Sequence, residues 1–224
     1  PLPDFAAIDD VQEMKAAFFD YLTPIIQHQN EIIMQQRGEL QQMLAKVEQG
    51  DELAGKQLQR LTELASRYEY ELVEGDPQGS LRQMLLRVDQ LPLPLALMQA
   101  AKESGWGRSR FAREANNLFG QWCYSAGCGL IPAQRPAGEP YDVQKFDAVG
   151  DAIAAYLHNL NTHDPYQSLR LMRAGMRAAG ESLDAEQLAD GLLRYSQRRE
   201  AYVEEVKSMI RQYHTFQQQR QGQQ

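Results

Sequence analysis

The chain has 224 residues, which corresponds to one or two domains at ~150 residues per domain. With 23 basic and 30 acidic side chains, its formal charge of −7 argues against electrostatic binding to nucleic acid or to anionic lipid. No apolar run reaches the ~18–20 residues needed to span a bilayer. Two cysteines are too few for a disulfide-stapled miniprotein or a four-cysteine zinc site.

Amphipathic helices dominate the first part of the chain. Apolar residues recur at three- and four-residue steps from Ile8 to Tyr21, and a second stripe runs from Ile25 to Val47. A third stripe, from Ala54 to Leu72, follows a turn at Gly50. Two long helices joined by a short turn pack as an antiparallel hairpin. We therefore interpret residues 1–75 as an N-terminal helical hairpin region with a structural or docking role, where a protein partner could bind.

A new unit begins at Gly75-Asp76-Pro77, with a predicted helix from Leu81 to Val88. The next segment reads LPLPLALMQAAKESGWG at 91–107, and its helix is apolar on almost every face. Such a helix usually lies in the centre of a domain. Gly105 ends it, and a short helix is predicted from Arg108 to Glu114.

Between Gly120 and Phe146 the helical period disappears, and Gly and Pro become frequent. Short strands at Gln121–Tyr124 and Tyr141–Phe146 are predicted to form a small hairpin or irregular lobe. The Gln-rich tail at 215–224 is predicted to be disordered. Between the lobe and the tail, helices are predicted at Ala148–Asn161, Pro165–Ala179 and Asp184–Tyr213.

Glu103 is the residue in this pattern with the clearest chemical interest. It lies in the last turn of the apolar helix, with Gly105 and Trp106 directly behind it. Burial against apolar groups removes water from the charge, and the negative end of the helix dipole also opposes ionisation. Both effects favour the neutral form that a general acid needs near neutral pH. The alternative is a structural carboxylate that pairs with Arg108 or Arg110.

The string MQAAKESGWGRSRFAREANNLFGQW at 98–122 resembles the start of the catalytic domain of glycoside hydrolase family 73, the bacterial β-N-acetylglucosaminidases. The specific pieces are ESGWG at 103–107 and NNLFG at 116–120, and the resemblance extends in order over residues 80–212. The helical prefix and the WCYSAGCG stretch most resemble one branch, the bacterial Bax proteins. The resemblance implies a mainly α, lysozyme-like catalytic domain with a small β-hairpin lobe at 76–214, preceded by the long helical hairpin.

The resemblance also implies roles for several side chains. Glu103 becomes the catalytic acid that protonates the glycosidic oxygen, and Trp106 supports it or lines the sugar groove. Asn117 and Phe119 shape the floor of the substrate site, with Phe119 interpreted as packing. Trp122 is a further candidate for substrate binding.

The second carboxylate of a two-carboxylate mechanism is less clearly marked. In the family it lies on the β-lobe, where Glu139 is the first candidate and Asp142 the second, while Asp147 suits a helix N-cap. No stereochemical outcome follows, and participation of the substrate's N-acetyl group or a single-carboxylate mechanism stays open. Tyr195 aligns with a family tyrosine that faces the cleft, where it holds substrate or positions water. The alternative for Tyr195 is a core aromatic.

Cys123 and Cys128 close the CYSAGC loop of the lobe, and we expect a disulfide there if the protein is exported. A zinc site needs more ligands than this pair supplies, and the four histidines are scattered along the chain. We therefore predict neither a metal nor a cofactor. Because the chain begins at Pro1 rather than at Met, we expect a processed fragment whose export signal is not visible.

The resemblance implies an exported hydrolase, periplasmic or in the cell envelope, that acts on the glycan strands of peptidoglycan. The expected reaction is cleavage of the β-1,4 bond after N-acetylglucosamine. One alternative is a muramidase or lytic transglycosylase on the same fold, and another is a non-catalytic peptidoglycan-binding protein. The paired ESGWG and NNLFG strings disfavour a helical adaptor without a sugar substrate.

Overall fold

The computed structural model describes residues 1–223, which form nine α-helices and three short strands. The mainly α, lysozyme-like fold with a small β-lobe and a preceding helical hairpin is confirmed. No helix in this part of the chain has both the length and the apolar character to span a membrane. The elements are α1 (Val11–Glu48), α2 (Gly55–Arg67), α3 (Pro77–Arg87), α4 (Leu93–Ser104), α5 (Arg110–Ala115), β1 (Trp122–Cys123), β2 (Gly129–Leu130), β3 (Asp142–Gln144), α6 (Val149–Thr162), α7 (Gln167–Ala178), α8 (Ala185–Leu188) and α9 (Glu200–Gly222).

The chain folds into two compact units, each assembled from segments that are distant in sequence. The first contains Pro1–Gln29, Pro92–Tyr156 and the segment that begins at Glu204. The second contains Asn30–Leu91 and Leu157–Val203. The predicted division into a hairpin region and a catalytic domain stays a prediction.

The core of the first unit forms around α4. Pro92 occupies its N-cap, and eight of its 12 residues are buried, as the apolar sequence predicts. Gly105 ends the helix in the left-handed conformation, with φ 56°. The partly exposed polar side chains of α4 therefore lie at its C-terminal end.

The first helix is longer than the two apolar stripes suggested. Pro24 lies inside α1, although a proline in a helix interior costs ~3 kcal/mol. The helix continues because buried side chains on both sides of Pro24 hold it against the first unit. In this unit those side chains are Phe18, Phe19, Leu22 and Ile26.

The prediction of a disordered tail is wrong for residues 215–222, which belong to α9. Phe216 packs edge-on against Phe19, with ring centroids 5.5 Å apart. Arg220 forms a salt bridge with Asp20, with Nη2 2.8 Å from Oδ2. These contacts stabilise the helical tail, although its sequence has no apolar stripe. Gln224, the last residue of the predicted tail, lies outside the described residues.

In the second unit, the predicted hairpin forms between the later part of α1 and α2. Lys46 donates to Gln57 at 2.9 Å, and Arg60 donates through Nε to Glu39 at 2.7 Å. Lys46 comes after Glu39 in α1, whereas its partner Gln57 comes before Arg60 in α2. The two helices are therefore antiparallel, as predicted. The helix ends at Arg67, earlier than the third stripe suggests.

The predicted helix from Asp184 to Tyr213 is interrupted. Asp184 caps the four-residue α8 by accepting a hydrogen bond from the backbone of Gln187 at 2.9 Å. A 3-10 segment and a turn then separate α8 from α9, and Arg199 in that turn has φ 47°. Helical periodicity continues through the interruption, so the sequence pattern does not reveal it.

The centre of the second unit contains a buried carboxylate, Asp89, which is 2% exposed. Arg177 donates two hydrogen bonds to it, at 2.8 and 3.0 Å. The guanidinium groups of Arg37 and Arg173 lie 3.6 and 3.9 Å from its Oδ2 atom. Burial alone raises the pKa of Asp89, but the Arg177 hydrogen bonds and the three positive charges outweigh burial and hold this pKa below its usual range. The carboxylate is therefore kept ionised inside the unit.

The β-lobe is a three-stranded antiparallel sheet in the order β1-β3-β2. Strands β1 and β3 lie within the two strand segments that the sequence predicts, and Trp122 pairs with Val143. Strand β2 was not predicted, because two residues show no alternation. Gly129 fits there because a β-carbon at that position would lie 1.9 Å from the Val143 carbonyl oxygen.

Candidate active site

Glu103 is the second-last residue of α4 and is half-buried, while its neighbours Ala101 and Ser104 are buried. The Ser104 hydroxyl donates to the Ala100 carbonyl at 2.6 Å and accepts from the Gly107 backbone N–H at 2.8 Å. Ser104 thus connects the end of α4 to the turn behind Glu103. The carboxyl group is presented from a fixed backbone, as a catalytic group requires.

The turn behind Glu103 accounts for the glycines of ESGWG. Gly105, Trp106 and Gly107 all have positive φ, of 56°, 61° and 74°. Positive φ disfavours any residue other than glycine at Gly107. A β-carbon there would also lie 2.7 Å from the Phe5 ring, so the position has no space for a side chain. The motif therefore reverses the chain within three residues of the carboxylate.

The structure brings the second motif next to the first. A β-carbon added at Gly120, the last residue of NNLFG, would lie 3.6 Å from Oε2 of Glu103. Gly120 also has φ 70°, the left-handed conformation that favours glycine. Glycine at this position keeps one side of the Glu103 carboxylate free of a side chain.

Replacing Gly120 with Ala is expected to lower the free energy of unfolding by ~1–2 kcal/mol, because a β-carbon is strained at positive φ. Chemical denaturation measures the change. Gly38→Ala is the matched control, since Gly38 lies in a helix with open space around it, and there Ala is expected to stabilise by ~0.5–1 kcal/mol. Equal stability of Gly120→Ala and the wild type would contradict the expectation.

Asn117 serves the site as a scaffold. Its side-chain amide donates to the carbonyls of Gln121 and Gln144, both at 2.9 Å, and its Oδ1 accepts from the backbone N–H groups of Phe119 and Gln121. Asn117 is 2% exposed. These four hydrogen bonds hold the loop that follows Asn117, and the role that the resemblance implies for Asn117 in the substrate site stays a prediction.

Phe119 is also a packing residue. Its ring stacks on Tyr156, with centroids 3.9 Å apart and planes 4° apart. The Tyr156 hydroxyl donates to Gln99, which lies one turn before Glu103 on α4. Sequence reasoning missed Gln99, although a buried polar residue four positions before a candidate acid is a readable signal.

The β-lobe contributes an aromatic surface. Trp122 is 52% exposed and stacks on Tyr141, with ring centroids 4.2 Å apart and planes 12° apart. Exposed flat rings of this kind pack against the faces of sugar rings. Sequence reasoning missed Tyr141, which the strand register places beside Trp122 on one face of the sheet.

The two candidates for the second carboxylate have different surroundings. Asp142 accepts a 2.7 Å hydrogen bond from Arg135, and its side chain is 15% exposed. Glu139 lies exposed in a turn that closes from its own backbone N–H to the Pro136 carbonyl. No salt bridge involves Glu139 within residues 1–223. A disulfide joins Cys123 and Cys128 in the same lobe.

Trp106 lies in a cluster of rings from the first unit. It packs edge-on against Phe18 and Phe19, with centroids 5.4 and 5.5 Å away, and Lys15 lies 5.0 Å above its ring. The indole therefore fixes the turn that follows Glu103. A contact between Trp106 and sugar stays a prediction.

Tyr195 belongs to the second unit, in the turn between α8 and α9. It is half-buried and stacks on Tyr202 with centroids 5.6 Å apart, and Tyr166 lies 6.0 Å away at a tilt. Two further tyrosines, Tyr166 and Tyr202, thus lie next to Tyr195. The role that the resemblance gives to Tyr195 stays a prediction.

Comparison with known proteins places most of these residues in one matched segment. The family model Glucosaminidase, described as mannosyl-glycoprotein endo-beta-N-acetylglucosaminidase, matches residues 80–215. The chain is 33% identical over 201 residues to Protein bax of Escherichia coli (strain K12), an alignment that covers 90% of this chain and 70% of that relative. No solved structure matches the chain at a significant level.

Proposed function

The chain belongs to the glucosaminidase family, and on that basis we propose that it hydrolyses the β-1,4 bond after N-acetylglucosamine in the glycan strands of peptidoglycan. The family supports an activity of the glycoside hydrolase type. The observation that carries the proposal is the position of the Glu103 carboxylate, in the first motif, beside Gly120 of the second motif.

Glu103 is proposed as the general acid. Its proton passes to the glycosidic oxygen while the bond from that oxygen to the anomeric carbon breaks. Glu103 is half-buried near the C-terminal end of α4. The partial exposure leaves room for a substrate oxygen to reach the group.

Glu139 is proposed as the second carboxylate, with Asp142 as the alternative. The Asp142 carboxylate is already held by Arg135, whereas Glu139 lies on an exposed turn of the same lobe. A carboxylate that must approach the anomeric carbon or a water needs a side that no arginine occupies. The distance between the two catalytic carboxyl groups sets whether the product is inverted or retained.

The remaining contacts are assigned by their exposure and surroundings. Trp122, stacked on Tyr141, is proposed to hold a sugar ring against its exposed face. Tyr195 is proposed to hold substrate or to position water. The Cys123–Cys128 disulfide supports a location outside the cytoplasm, because disulfides persist in oxidising compartments.

Digestion of purified peptidoglycan tests the reaction, with the new reducing ends identified by mass spectrometry. Release of N-acetylglucosamine at the reducing end supports the proposal. Reducing-end N-acetylmuramic acid identifies a muramidase instead, and a 1,6-anhydro product identifies a lytic transglycosylase. Binding to peptidoglycan without release of any product identifies a non-catalytic binding protein.

Paired variants distinguish the two lobe carboxylates. Glu139→Gln is expected to lower kcat by ~10²-fold or more, because it removes a charge that acts on the reacting centre. Asp142→Asn breaks a partly exposed ion pair with Arg135, so its expected effect is a loss of ~0–1 kcal/mol of stability with most activity retained. Initial rates on peptidoglycan and denaturant midpoints measure both effects. A large loss of kcat in Asp142→Asn, with most activity retained in Glu139→Gln, would assign the role of second carboxylate to Asp142.

A further inference from the structure

A cavity of about 590 Å³ lies inside the first unit, bordered by the start of α1, by Trp106 and by the second half of α9. We call it the α1–α9 cavity. Its volume suits a small ligand. Neither Glu103 nor the carboxylates of the β-lobe line it, so the proposed hydrolysis does not account for it.

Aromatic rings form a preformed wall of this cavity. Phe19 lies at the centre, with the rings of Trp106, Tyr213 and Phe216 at 5.5, 4.9 and 5.5 Å. All three meet Phe19 edge-on, an arrangement that fixes the orientation of each ring. Phe19 and Tyr213 are buried behind this wall, and the half-buried rings of Trp106 and Phe216 provide its apolar surface.

The charge of the lining is opposite to that of the whole chain. The charged side chains that line the cavity within residues 1–223 are Lys15 and Arg211, and no carboxylate does so. The chain as a whole has 30 acidic and 23 basic residues. The Lys15 ammonium lies 5.0 Å above the Trp106 ring and forms no salt bridge with a described residue. The positive charge of Lys15 in a partly enclosed site favours an anionic ligand.

Glutamine side chains complete the lining. Gln12, Gln212 and Gln219 border the cavity, and each amide can both donate and accept hydrogen bonds. A neighbouring cavity of about 510 Å³ shares Gln12, Phe216 and Gln219 with it, and Glu13 and Arg220 also line that second cavity. The amides of the α1–α9 cavity match the alternating donors and acceptors of a peptide backbone.

We propose that the α1–α9 cavity binds a short peptide with free carboxylates, the chemical class of the stem peptides that branch from peptidoglycan strands. A peptide carboxylate pairs with Lys15, and a small apolar side chain packs on Trp106 and Phe216. The inference rests on the proposed function, because the stem peptide is attached to the polymer that Glu103 is proposed to cleave. Trp106 joins the two sites, since it lines the cavity and follows Glu103 by three residues.

Binding of the tripeptide L-Ala-γ-D-Glu-meso-diaminopimelate, measured by isothermal titration calorimetry at low salt, tests the cavity directly. Lys15→Gln and Arg211→Gln are each expected to weaken binding by about tenfold, and added salt is expected to weaken it further. Lys56→Gln, at an exposed position of α2, is the matched control and leaves the affinity unchanged. Absence of tripeptide binding, an unchanged affinity in Lys15→Gln, or equal binding of an uncharged chitin tetrasaccharide overturns the inference.

Cleavage of glycan strands with and without their peptides separates this inference from the proposed function. Lys15→Gln is expected to raise KM on peptide-bearing strands about tenfold and to leave kcat and the cleavage of peptide-free strands unchanged. Lys15-dependent tripeptide binding in a chain that cleaves no glycan supports the cavity site and contradicts the proposed function. If KM and kcat for cleavage depend neither on the peptides nor on Lys15, the proposed function is supported and the cavity site is overturned.

Discussion

Glu103→Gln is expected to lower the rate of glycan cleavage by roughly 10³-fold, within the ~10²–10⁴ range that a positioned general acid contributes. Glutamine keeps the size of the side chain and its place beside Gly120, but it has no acidic proton to give to the leaving oxygen. The loss should therefore appear in kcat, while peptidoglycan binding stays close to that of the wild type. Initial rates and a pull-down with insoluble peptidoglycan measure the two effects.

Glu114→Gln is the matched control for this experiment. Glu114 is an exposed carboxylate on α5 that pairs with Arg110 at 3.3 Å, and its loss is expected to leave the rate unchanged. Circular dichroism establishes that both variants are folded. Full activity in Glu103→Gln would show that another group supplies the proton.

Asp89→Asn is expected to lower the free energy of unfolding by ~3–5 kcal/mol, because it leaves three arginine charges without their buried partner. Asp20→Asn is the matched control. Asp20 also pairs with an arginine, Arg220, but it is 62% exposed, so a change of only ~0–1 kcal/mol is expected. Urea denaturation followed by circular dichroism measures both. Similar losses in the two variants would show that the buried cluster contributes no more than a surface ion pair.

The lowered pKa of the buried Asp89 carboxylate also implies a pH dependence of the free energy of unfolding. The pKa of Asp89 is lowered in the folded chain, so its contribution is fully present above the unfolded value of ~3.9 and is lost as the pH falls through the folded value. Wild-type stability is therefore expected to fall more steeply below about pH 4 than that of Asp89→Asn. Parallel slopes for the two proteins would contradict this assignment.

The sequence predicts the elements whose signals are local. The apolar run of α4, its glycine stop and the turn at Gly50 all depend on neighbouring residues, and each appears where expected. The ESGWG and NNLFG strings are singled out as a pair by the sequence, and the structure brings Gly120 close to Glu103. Their meaning becomes clear only in the structure, because the approach of Gly120 to Glu103 depends on the path of the chain through α5.

Other features depend on contacts between distant segments, which periodicity cannot reveal. The last turns of α9 are Gln-rich and look disordered until Phe216 and Arg220 meet Phe19 and Asp20. Asp89 looks like an ordinary loop carboxylate, since its partners lie 52 residues before it and 84 and 88 residues after it. The hydrogen bonds of Asn117 could not be predicted for the same reason, because the carbonyls of Gln121 and Gln144 that it contacts come later in the chain.

The packing of Trp106 determines where the polypeptide can be cut when the hydrolase segment is grafted onto another protein. A fragment that starts at residue 80, where the family match begins, would lack Phe18 and Phe19 and expose the indole behind Glu103 to water. It would also lose Phe5, whose ring packs against Gly107 in the same turn. A chimera that keeps the surroundings of Glu103 must therefore carry the opening residues of the chain along with the matched segment.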